Sequence, residues 1–69
     1  MSKWVLISVE DNSILEPTTY DTYEQAYEEM ERDFNMTKYG DEWASIHENY
    51  ASIQTDFYSW DWRIYEVKF

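Results

Sequence analysis

Three features of the 69-residue sequence predict an α+β fold, one helix packed on a three-stranded antiparallel sheet in the order β-α-β-β. Residues 3–10 (Lys-Trp-Val-Leu-Ile-Ser-Val-Glu) and 60–68 (Trp-Asp-Trp-Arg-Ile-Tyr-Glu-Val-Lys) are rich in β-branched and aromatic side chains, as strands are. Between them, Tyr23, Ala26, Tyr27, Met30 and Phe34 recur at helical spacing and make a single apolar stripe. The length allows one domain over 1–69 and no second core, because a chain this short buries only roughly 60% of its unfolded surface.

The first strand carries Val5, Ile7 and Val9 on one face and Trp4, Leu6 and Ser8 on the other. Apolar character on both faces predicts a central strand, and Asp11-Asn12-Ser13 is a turn cluster that ends it. Residues up to Tyr20 read as a loop, with Ile14 and Leu15 anchoring it to the core and Pro17 interrupting any regular element. Asp21 with Glu24, and Thr22 with Gln25, both fit a capping box, so the helix starts there. It should run to about 35–38 and stop near Gly40, the one glycine.

Residues 41–55 admit two readings. On a helix, Trp43, Ile46, Tyr50, Ile53 and Phe57 align. On a strand, Ala44 and Ile46 share one side while Ala51 and Ile53 fall on the other parity, which requires a bulge between His47 and Tyr50. The strand is preferred because the sheet needs a third member, and the helix stays as the alternative. In the last strand Trp60, Trp62 and Ile64 share one face and Asp61, Arg63, Tyr65 and Val67 the other, after a turn at 56–59.

Fifteen acidic against five basic residues give a net charge of −10, and one residue in five is aromatic. Low mean hydropathy with high charge is also the composition of disorder, but the apolar residues are periodic and Gly and Pro occur once each. Without cysteine the fold cannot rest on disulfides or thiolate-bound metal. Neither a signal-peptide pattern nor a long apolar run is present, so a soluble cytoplasmic protein is expected. An anionic membrane would repel it, and so would nucleic acid. Lys3, Arg32, Lys38, Arg63 and Lys68 are scattered, with Arg63 and Lys68 expected to pair with neighbouring acids.

The acids are unevenly placed along the chain. Glu24, Glu28 and Glu31 fall on one helix side, at axial steps of about 6 and 4.5 Å, close to the roughly 6–7 Å between phosphates of one nucleic-acid strand. Glu29 and Asp33 flank the apolar stripe on its other border, with only Arg32 for local relief. Like charges at i,i+4, such as Glu24 and Glu28, oppose helix stability. Glu24, Glu28, Glu29 and Glu31 are therefore the candidate partner-binding residues, with Glu10, Asp11 and Asp21 as outer contacts. Tyr20 and Tyr58, with Tyr39 and Trp60, are candidate aromatic anchors, since such rings concentrate at interface hot spots. The competing explanations are a solubilising coat for the acids and ordinary core or rim packing for the rings.

His47 and Glu48 are adjacent, and neighbours in sequence face apart on a strand and do not meet on a helix. No nucleophile in a recognisable setting, no phosphate-cradling glycine loop and no calcium-loop spacing accompanies them. Neither an enzyme nor a metal or cofactor site is expected.

The segment Ala51-Ser-Ile…Trp60-Asp-Trp-Arg-Ile-Tyr-Glu-Val, after the acidic Tyr-Glu-Gln-Ala-Tyr-Glu-Glu-Met helix, resembles small proteins of phages and mobile elements. Size and acidity are similar to those of anti-CRISPR and anti-restriction inhibitors, many of which imitate DNA. The likeness covers most of the chain, and no binding motif carries over with it. It implies an inhibitor that occupies the basic groove of a nucleic-acid-binding protein, such as a defence nuclease or its complex, in the host cytoplasm. The alternative is a structural or assembly module that associates through an uncovered aromatic sheet face, which Tyr65, Val67 and Phe69 could line. A homodimer stays open.

Overall fold

The computed structural model describes residues 1–38 and 43–68. Its strands are β1 (Ser2–Glu10), β2 (Ser13–Ile14), β3 (Thr18–Tyr20), β4 (Trp43–Ile46), β5 (Tyr50–Gln54) and β6 (Ser59–Lys68), with one helix, α1 (Tyr23–Thr37). All pairings are antiparallel, in the order β2-β1-β6-β5-β4, and β3 joins the same side of β1 as β2. The α+β class is as expected from the sequence, with six strands where three were expected.

β1 is a central strand, between β6 and the short β2 and β3. Its ladder with β6 runs from Ser2↔Lys68 to Glu10↔Trp60 and is the spine of the sheet. Asp11 and Asn12, at φ 48° and 72°, form a two-residue turn that folds Ser13 back onto Glu10. The loop expected at 11–20 therefore contains two strands, and Ile14 and Leu15 are exposed where they were expected to reach the core. The edge of β1 accepts these segments because its backbone groups need partners whatever side chains come alongside.

Residues 43–54 form a hairpin, which overturns both the single bulged strand and the helix. The parity change between Ile46 and Ala51 is a reversal of the chain: Ile46 pairs with Ala51, and the His47 amide donates to the Tyr50 carbonyl at 2.8 Å. Thr55 holds the next turn, its Oγ1 accepting from the amides of Phe57 and Tyr58.

The helix has the expected start. Thr22 is the N-cap, its hydroxyl accepting from the Gln25 amide while the Gln25 side chain accepts from the Thr22 amide. It ends at Thr37 with Lys38 as the cap, and Gly40, expected to stop it, lies outside the described residues. Ala26, Met30 and Phe34 bury the stripe against Leu6, Ala51, Ile53, Trp62 and Ile64. Phe34 meets the Trp62 indole edge-on, with ring centroids 6.0 Å apart. No described buried side-chain polar atom lacks a partner. The helix covers one sheet face only, and the register puts Lys3, Val5, Ile7, Val9, Asp61, Arg63, Tyr65 and Val67 on the uncovered one.

Candidate partner-binding surface

The capping box and the stripe together fix the rotation of α1, and rotation decides where each acid goes. With Met30 and Phe34 turned inward, Glu24, Glu28 and Glu31 are exposed, and none forms an ion pair with a described residue. Glu29 lies on the flank toward β3, half-buried, and pairs with Arg32. Asp33 is half-buried on the same flank; burial first and the Glu29 charge second raise its carboxyl pKa, with Arg32 offsetting part of the rise.

The outer acids divide between two clefts beside the helix. One, of about 330 Å³, lies between β3 and α1 and is lined by Tyr20, Asp21, Gln25, Glu28 and Glu29 with Thr19. Asp21 is partly neutralised there by its pairing with Lys3. Tyr20 is half-buried, and burial, then Glu29, raise its phenol pKa. The other cleft, of about 480 Å³, lies at the C-terminal end of the helix and gathers Glu10, Asp11, Tyr58 and Trp60 with Met36 and Thr37. Asp11 is held in place from across the sheet, its Oδ1 accepting from the amide of Ser59 at the start of β6 at 2.8 Å.

The nine candidate residues thus form three groups. Glu24, Glu28 and Glu31 make an exposed ridge, with Glu28 shared by the first cleft. Tyr20, Asp21 and Glu29 are gathered in that first cleft, and Glu10, Asp11 and Tyr58 in the second. Tyr20, Tyr58 and Trp60 are half-buried rather than fully presented, and Tyr39 lies outside the described residues. Met36, a 73% exposed residue beside the second cleft, was missed because it falls off the apolar stripe. Arg63, expected to pair with an acid, instead lies over the Tyr50 ring at 6.0 Å, and His47 stacks on that ring at 4.3 Å. The Tyr23 hydroxyl donates to the Glu48 carbonyl, and burial followed by the Glu48 charge raises its pKa.

Charge is segregated by layer. Glu10, Glu66 and Lys68 on β1 and β6 share the helix-side parity with the acidic helix, while the described strand residues of the uncovered face carry only Lys3, Asp61 and Arg63 as charges. That face exposes Tyr50, Tyr65 and Val67, and Trp43 and Ile14 extend it to both margins. Among the described residues no cluster of three or more His or acidic side chains is placed to hold a metal ion, and no helix is long and apolar enough to cross a membrane. No protein-family model, curated protein or solved structure matches the chain.

Proposed function

We propose that this is an acidic protein-binding inhibitor that lays its helix layer into the basic nucleic-acid groove of a target protein, in the manner of phage anti-defence proteins. The observation that carries the reading is the exposed ridge of Glu24, Glu28 and Glu31, without an ion pair among the described residues, on one side of a rigidly seated helix. A solubilising coat has no need of such concentration, and like charges at helical spacing oppose the fold that carries them. A groove built for phosphates releases its counterions to ordered carboxylates in the same way, so association is fast and weakens steeply with salt.

The test is capture from a bacterial lysate at low and high ionic strength, with duplex DNA or RNA as competitor. The reading requires that captured proteins bind nucleic acid, that competitor displaces them, and that salt releases them. Capture indifferent to both competitor and salt would sink it. A second reading, assembly through the uncovered sheet face, is favoured by the exposure of Tyr65 and Val67 on a face of nearly balanced charge. Phe69, which was to share that face, lies outside the described residues. Apolar association of this kind would hold or strengthen as salt rises.

A further inference from the structure

The cleft at the C-terminal end of α1 combines three features that attract the same kind of ligand. The Tyr58 and Trp60 rings stand at 86° to one another with centroids 6.5 Å apart, forming an aromatic corner. Glu10, directly opposite Trp60 in the β1–β6 ladder, and Asp11 bring carboxylates to the same cleft. The last turn of the helix closes it through Met36 and Thr37, and no basic residue within that turn offsets the partial negative charge of the helix end. The Lys38 cap is exposed and does not line the cleft.

Ring faces, carboxylates and a helix C-terminus all favour a cation, and the rings favour one that is flat and weakly hydrated. A volume of about 480 Å³ falls within the usual range of ligand sites. We propose that this cleft receives an arginine side chain of the basic partner, its guanidinium stacked in the Tyr58–Trp60 corner and bonded to Glu10. The proposal rests on the partner being a basic protein, and it adds an anchoring point at the end of the acidic ridge. Long-range attraction brings the partner in, and the arginine in the corner sets the register.

The test is an NMR titration of the intact protein with acetyl-arginine-amide at constant ionic strength, with acetyl-lysine-amide as control. Saturable shifts at the Trp60 indole and the Met36 methyl, larger for arginine, are expected. Glu10→Gln should weaken binding about fivefold, the loss of one charge contact near 4 Å in water. Tyr58→Leu should abolish the arginine preference while amide dispersion reports an intact fold. Shifts confined to the Glu24–Glu28–Glu31 ridge would overturn the cleft and leave the inhibitor reading standing. Equal binding of lysine and arginine would also overturn it. Arginine bound in the corner, with no basic protein captured, would keep the cleft and remove the inhibitor reading.

Discussion

Reversing charge at Glu28 and Glu31 separates the fold from the function. Both side chains are exposed and lack ion-pair partners among the described residues, so Glu28→Lys with Glu31→Lys breaks no packing. Each substitution adds two charges, taking the net charge from −10 to −6. Lys at position 28 trades repulsion from Glu24 for attraction but acquires repulsion from Arg32. At about 0.2–0.5 kcal/mol per i,i+4 pair these nearly cancel, and stability should shift by less than ~0.5 kcal/mol. Binding behaves differently. A unit charge about 6 Å from its opposite in water contributes ~0.7 kcal/mol, and reversal costs about twice that. Two sites then lose ~2.8 kcal/mol, or about a hundredfold in affinity for the captured partner at low salt. The neutral pair Glu28→Gln and Glu31→Gln should lose about tenfold, half the free energy. Affinity measured by calorimetry, with urea melts alongside, gives both numbers. An affinity loss under about threefold with unchanged stability would refute the assignment of the ridge as the binding surface.

Other perturbations test the framework. Thr22→Ala removes one arm of the capping box and should cost about 1 kcal/mol, lowering Tm by ~4–8 °C in a thermal melt. Trp62→Ala empties the largest buried position and should cost ~3–5 kcal/mol, comparable with the whole stability of a domain this size, so its amide NMR spectrum should collapse. Because the Asp33 carboxyl pKa is raised on folding, its neutral form favours the native state, and that contribution is lost as pH rises from the unfolded value near ~3.9 through the higher folded value. Asp33→Asn should therefore raise Tm at neutral pH by an amount that vanishes in acid; a lower Tm at neutral pH would contradict the burial argument.

Local signals carried the long elements. Strands of nine and ten residues and a helix of fifteen hold enough alternation or stripe to be read directly, and the Thr22–Gln25 box is a four-residue pattern. The hairpin at 43–54 was half legible. Its parity change was visible, but a bulge and a tight turn leave the same trace, and only pairing with a neighbouring strand distinguishes them. β2 and β3, of two and three residues, are too short to show alternation, and they exist because β1 has an edge to offer. The ridge was readable because helical geometry follows from the sequence alone. The clefts were not, since Glu10 meets Trp60, and Tyr20 meets Glu29, only after registers between distant segments are set.

The pairing of β1 with β6 has a kinetic consequence. Joining Glu10 to Trp60 closes some fifty residues of chain, which costs on the order of 3.5 kcal/mol in its length-dependent part, against about 1 kcal/mol for the tight β4–β5 turn. The helix and the short hairpin should accordingly organise early, while the two longest strands search for each other last. Until they meet, Trp60 and Trp62 lack their β1 partners Glu10 and Ser8, and light scattering during refolding is expected to peak before that pairing forms.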